Sequence, residues 1–175
     1  DINSAFDINR LGEPELFWGV SGGSVDSMVA NYTASKKRRK QDDYTPGGEN
    51  NRRPDRAVIA YTNLIRRNFK NTVPIVIGGI EASLRRVTHY DFWSNKLRRS
   101  ILIDSKADYL VYGMGEKSIV EIAQKLQKGK TIVNVRGLSY ASSENKYDYL
   151  QLPSFEETVN DKSKFIEMFN SFYLN

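Results

Sequence analysis

Three glycine turns, each followed within a few residues by a carboxylate, are the parts of this chain whose types and spacing could do chemistry. They are Ser21-Gly22-Gly23 with Asp26, Gly78-Gly79 with Glu81, and Gly113-Met114-Gly115-Glu116. Glycines at the end of a strand let the backbone come close to a bound group, and a helix N-terminus behind them favours an anion. In the third turn Glu116 already supplies a negative charge to the first helical turn, so that turn suits a hydroxyl, an amide or a cation better than a phosphate. The run His89-Tyr90-Asp91-Phe92-Trp93 is the densest set of functional side-chain types. A single histidine beside an aspartate reads either as a structural hydrogen bond or as a ligand contact. Glu81 and Glu116 could share acid–base work if the fold brought them together with their pKa values pushed apart. No nucleophile–base spacing of a known kind accompanies them.

Strand–turn–helix units must carry these turns. Leu16 to Val20 is a continuous apolar run that fits a strand buried on both faces. Ser24 then offers an N-cap, and Val25, Met28, Val29 and Tyr32 lie on one helix stripe. Val73 to Ile77 repeats the pattern, with Pro74 confined to the strand's start or edge. Tyr109 to Tyr112 repeats it again, and the apolar residues that follow recur at 119, 122, 123 and 126, the spacing of one helix face. A helix is expected from about Asp55 through Phe69, another through Leu97 and Ile101, a short strand at 137–141, and a capping box at Ser154 to Glu157 ahead of a final helix. That helix carries Phe165, Met168, Phe169 and Phe172 on one stripe, an apolar face asking for a neighbour. Residues 1–15 read as an irregular lead-in. The whole predicts an α/β fold: an open, mainly parallel, Rossmann-like sheet with helices on both faces.

The 175 residues suit one core-bearing domain, and their 39% hydrophobic content is enough to fill it. With no cysteine and one histidine, disulfides, thiolate metal sites and cysteine nucleophiles are excluded within the chain, as is any His-pair metal site. No apolar run approaches the roughly 20 residues that cross a bilayer, and the chain reads as cytoplasmic, without a membrane partner. The net charge of +5 is concentrated in two stretches, 36–56 and 85–99. The first holds Lys36, Lys37, Arg38, Arg39 and Lys40 in a long loop spanning 34–54; the second holds Arg85, Arg86, Arg98 and Arg99. Such patches read as solvated surface or as contacts to nucleic acid, an acidic domain or a phosphorylated ligand.

Several uninterrupted blocks in fixed order resemble the N-terminal region of the YgiQ-type radical SAM proteins. They are Leu16 to Val29 (LFWGVSGGSVDSMV), Tyr44 to Gly48 (YTPGG), Arg53 to Ala57 (RPDRA), Pro74 to Arg86 (PIVIGGIEASLRR), His89 to Ser94 (HYDFWS), Arg98 to Leu102 (RRSIL) and Leu152 to Glu157 (LPSFEE). The resemblance implies a Rossmann-like domain of the cobalamin-binding type, residues 1–152, and a linker helix, 153–175, leading toward an absent radical SAM barrel. It implies that a 4Fe–4S cluster and S-adenosylmethionine belong to that downstream domain, the partner of this one in the same polypeptide, with no cofactor held by this chain. It also places Gly78-Gly79-Ile80-Glu81 and Gly113-Met114-Gly115-Glu116 on the rim facing the barrel. The cobalt-ligating Asp-x-His-x-x-Gly pattern is absent, which argues against cobalamin. A strand–helix–strand segment ahead of Leu16 is missing from the pattern. In a flavodoxin-like order the strand at 16–20 then becomes an apolar edge, to be covered by residues 1–15, by a second copy, or left bare by truncation. The expected role is a non-catalytic accessory domain of a radical SAM enzyme that shapes substrate access, with Ser21, Gly22, Gly23, Asp26, Gly78, Gly79, Glu81, His89, Gly113, Gly115 and Glu116 as ligand-binding candidates. The alternative is a nucleic-acid-binding module built on 36–56 and 85–99.

Overall fold

The computed structural model of the protein describes residues 4–144 and 148–174. Strand β1 (Trp18–Ser21) pairs in parallel with β2 (Ile75–Gly78), and β2 pairs in parallel with β5 (Tyr109–Val111). Strand β6 (Leu138–Tyr140) closes the far side antiparallel to β5, giving a four-stranded sheet of order β1-β2-β5-β6. The sheet is therefore open and mainly parallel, and β1 lies at its edge.

Alternation along the short strands sorts the core into two layers. Val20, Ile75, Ile77 and Leu110 pack on one face with Val58 and Ile65 of helix α3 (Ala57–Asn68) and Ile101 and Leu102 of α5 (Ile101–Ser105). Val76 and Val111 pack on the other face with Ile122 of α6 (Glu116–Gln127), backed by Ile132 and Val135. On β1 that second face carries only Gly19 and Ser21, both exposed, so among the described residues no helix covers that strip of sheet.

Several local expectations are corrected. The lead-in is partly helical: Ser4 and Asp7 form a reciprocal capping box that opens α1 (Ala5–Asn9), which packs against α3 rather than along the edge of β1. Helix α2 (Ser27–Asn31) is capped by Asp26, not Ser24, because its carboxylate accepts from the Met28 and Val29 N–H groups. Val25 thus lies outside the helix, and of the expected stripe only Met28 is buried. The helix expected through Leu97 is instead a hairpin of β3 (His89–Asp91) and β4 (Lys96–Arg98), turning at Asn95 with φ 52°. At the other end the final helix is two, α7 (Phe155–Asn160) behind the expected capping box and α8 (Lys162–Leu174), parted at the extended Asp161.

Asp91 is what converts the 89–98 stretch into a hairpin. Its carboxylate, 3% exposed, accepts from Ser94 Oγ at 2.5 Å, Arg98 Nε at 3.0 Å and Arg56 at the start of α3 at 2.5 Å. Burial pushes its pKa up, but hydrogen bonds from Ser94 and Arg56, the Arg56 charge and the Arg98 hydrogen bond outweigh it and hold it far below the ordinary 3.8. A carboxylate whose pKa falls on folding stabilises fully above its unfolded value, and that stability is lost progressively as pH drops from there through the lower folded value. Asp91→Asn is expected to cost about 2–3 kcal/mol at pH 7, with the gap to wild type shrinking below about pH 4. Denaturant titrations at pH 7 and pH 3 check this, and a gap independent of pH would contradict it.

Candidate functional site

The turns at the carboxyl ends of β1, β2 and β5 converge, and the sequence-derived candidates divide into two groups. Ser21, Gly78, Gly79, Gly113, Gly115 and Glu116 line one groove of about 440 Å³, floored by Gly19, Val76 and Val111 and walled by Ile119. Gly22, Asp26 and Glu81 turn away from it into a buried polar knot. Gly23 stands beside the knot, where an added Cβ would lie 3.6 Å from Arg53 Nη1. His89 joins neither group: it is half-buried on β3, with Nδ1 3.1 Å from the Val87 carbonyl oxygen. Burial lowers its pKa, and its expected partner Asp91 is taken by arginines.

Glu81 is the centre of the knot. It sits on α4 (Gly79–Leu84), the short helix that begins directly from β2 because Gly79 takes φ 86°, a backbone angle L side chains resist. Its carboxylate is 1% exposed. Oε2 accepts from Ser27 Oγ at 2.6 Å and from the Ser27 N–H at 3.2 Å, while Oε1 faces Arg85 Nη1 at 3.3 Å. Arg85 in turn donates to Asp26 at 2.5 Å, and Ser27 Oγ accepts from the Ala57 N–H at 3.1 Å. One carboxylate thereby joins the first glycine turn, the starts of α2 and α3, and α4. Desolvation raises its pKa, and Asp26 adds to the rise, against the lowering influence of Ser27 and Arg85. A Cβ on Gly22 would come within 2.6 Å of Oε2, so this glycine makes room for a buried side chain rather than for a ligand.

The long loop is fastened to the same knot. Arg53 is 6% exposed, donates to the Gly22 carbonyl at 2.7 Å and pairs with Asp42 at 3.4 Å. Asp42 also accepts from Thr45 Oγ1 and the Tyr44 N–H, and these with Arg53 keep its pKa low despite burial, which acts to raise it. Asn31 reaches the Arg53 carbonyl and Asp55, and Asn50 reaches the carbonyls of Asn31 and Arg39. Of these groups Ser27 could have been suspected from its place after a capping aspartate. Nothing in the spacing marks Asn31, Asp42 or Asn50.

The basic patches are exposed along 36–40 and at Arg99 and half-buried at Arg85, Arg86 and Arg98, and most of their side chains are tied to partners within the protein. Lys36 donates to the Phe92 and Trp93 carbonyls and lies over both rings. Arg38 bonds the Asn50 carbonyl, and Arg39 the carbonyls of Val29 and Tyr32. Arg98 and Arg99 pair with Asp104, and Arg86, bonded to the Ser83 carbonyl, is sandwiched between the rings of Tyr112 and Phe172 at 4.8 and 4.4 Å. Among the described residues only Lys37 and Lys40 of the nine carry no such side-chain partner. Carbonyl acceptors orient Lys36, Arg38 and Arg39 without cancelling their charge, and no feature of the described residues supports the nucleic-acid alternative. Glu81 and Glu116 make no contact with each other among the described residues, since one is sealed in the knot and the other exposed on the groove.

Comparison with known proteins gives a consistent picture. The family model described as "Radical SAM N-terminal" matches residues 1–175. A UPF0313 protein of Fusobacterium nucleatum is 64% identical over 176 residues, covering all of this chain and 31% of the relative. UPF0313 proteins of Thermotoga petrophila and Methanocella arvoryzae are 59% and 48% identical, covering 95% and 99% of this chain and 30% of each relative. The chain thus spans about a third of the length of the curated relatives it matches. No solved structure matches it.

The knot makes Gly22 and Glu81 energetically inseparable. Gly22→Ala is expected to destabilise the protein by about 1–3 kcal/mol through overpacking, and Glu81→Ala by about 3–5 kcal/mol because Arg85 and Ser27 lose their partner. In the double variant the overpacking cost should largely vanish, leaving a coupling of at least about 1 kcal/mol in a denaturation cycle. Strict additivity would contradict the geometry.

Proposed function

The chain belongs to the radical SAM N-terminal family, and we propose that it is the N-terminal accessory domain of a radical SAM iron–sulfur enzyme, shaping substrate access to a catalytic barrel carried elsewhere in the polypeptide. The observation that supports this reading is the convergence of three strand-end turns on one glycine-floored groove, over a strip of sheet that no helix covers among the described residues. Ligands of open α/β sheets bind outside the carboxyl ends of the strands. Here the floor is bare backbone and valine, and Ser21 and Glu116 bring a hydroxyl and a carboxylate to it. That set suits an apolar or planar body bearing a hydrogen-bond donor or positive charge.

The 4Fe–4S cluster and S-adenosylmethionine belong, on this reading, to the remainder of the polypeptide. The residues present do not fit a cluster: there is no cysteine, and the described residues contain no group of three His, Cys, Asp or Glu side chains placed to hold a metal. A cobalt ligand is equally ill-matched, because the one histidine is tied to Val87 on the hairpin and does not line the groove. Residues 1–152 are then the Rossmann-like body and 153–175 the connection toward the barrel, with α8 anchored at the rim through Phe172 over Arg86. Among the described residues no helix is long and apolar enough to cross a membrane, and the cytoplasm is the compartment proposed.

If the rim faces the barrel, apolar side chains that stand exposed around it here are covered in the intact protein. Met114 is 86% exposed, and Ile80 and Leu84 of α4, the helix whose Ser83 accepts from the Gly113 N–H, are more than half exposed. Hydroxyl-radical footprinting of the intact protein should find Met114, Ile80 and Leu84 protected while Phe6 and Leu11 stay reactive. Full reactivity of Met114 would overturn the proposal.

A further inference from the structure

Residues 33–54 contain no helix or strand beyond two isolated bridges, Tyr32 to Arg38 and Gln41 to Glu49. Ordering so long a segment costs about 1–2 kcal/mol per residue in backbone entropy, and ordered loops above about 12–15 residues are commonly functional. This one is pinned from beneath by Asp42, Thr45, Asn50 and Arg53, all under 9% exposed. Against α2 it forms a second cleft, of about 730 Å³, on residues that do not line the rim groove. That volume lies in the range of small-molecule sites.

The charge in this cleft is unbalanced. Four consecutive cations, Lys37 to Lys40, line it. Arg38 and Arg39 bond only neutral carbonyl oxygens, so their charge persists, and Lys37 and Lys40 have no side-chain partner among the described residues. Of the three carboxylates in the lining, Asp26 shares Arg85 with Glu81, Asp42 pairs with Arg53, and Asp43 stands alone, so the four lining cations outnumber the lining carboxylates. Apolar lining comes from Val25, just ahead of α2, and Val29 on it, which at 55% and 58% exposed found no core.

We infer that this cleft binds a small organic anion, its apolar body against Val25 and Val29 and its anionic group held by Lys37 and Lys40. Lys36 takes no part, because it is clasped over Phe92 and Trp93. The site is separate from the rim groove and does not depend on the accessory-domain reading.

Titration calorimetry of the intact protein with phenyl phosphate tests it, with inorganic phosphate and a single-stranded oligonucleotide as parallel probes. Phenyl phosphate should bind saturably at one site, about tenfold or more tighter than inorganic phosphate. The double variant Lys37→Ala/Lys40→Ala and, separately, Val29→Asp should each weaken it about tenfold or more, whereas Lys96→Ala should not. All are exposed positions, so the fold tolerates the changes. Absence of saturable binding, equal affinity for inorganic phosphate, equal weakening by Lys96→Ala, or binding of the oligonucleotide alone would each overturn the inference.

Discussion

A carboxylate with 1% of its surface exposed must be matched by donors on every side, and the arrangement that matches Glu81 shapes this domain around it. Ser27 supplies two donors from 54 residues away in sequence, and Arg85 supplies charge from one turn further along the chain. Because Ser27 also accepts from the first turn of α3, the carboxylate fixes how two helices and a glycine turn meet at the carboxyl edge of the sheet. The glycine at 22 is the steric counterpart of that choice.

From this knot the rim follows. With Gly22 held by Glu81 on one side and by Arg53 on the other, Ser21 is left to end β1 on the open face, opposite Gly78 in register. The uncovered strip of Gly19 and Ser21 then continues into the turns after β2 and β5. The same Arg53 carries the fastening outward to Asp42, so the long basic loop is an extension of the buried network rather than an appendage. Rim groove and loop cleft share no lining residue, yet Asp26 and Arg85 connect the wall of one to the knot behind the other.

The parallel strands and their glycine turns were legible in sequence because apolar runs ending in glycine report backbone geometry directly. The faces of α3 and α6 and the capping box at Ser154 were legible for the same local reason. What escaped depends on partners distant in the chain. The 89–98 hairpin needs Arg56 to close on Asp91, and Val25 and Val29 mimic a buried helix stripe while facing a cleft. The candidate turns were found as a set, but that Gly78 and Gly113 face a groove while Gly22 faces Glu81 depends on the sheet's pleat and on which side α4 packs. The arginines read as a surface row do lie at or near the surface, but most also bond carbonyls, carboxylates or rings of the protein, since composition counts charges without saying what they touch.

The central claim is that Glu81 sits desolvated at the junction of these elements. Carboxyl-carbon NMR of the selectively labelled protein across a pH series measures this directly. Ionisation above the ordinary glutamate value of 4.5, accompanied by shifts in residues 21–27 and 81–85, is the expected result. An ordinary or lowered value, with those residues unmoved, would contradict the account.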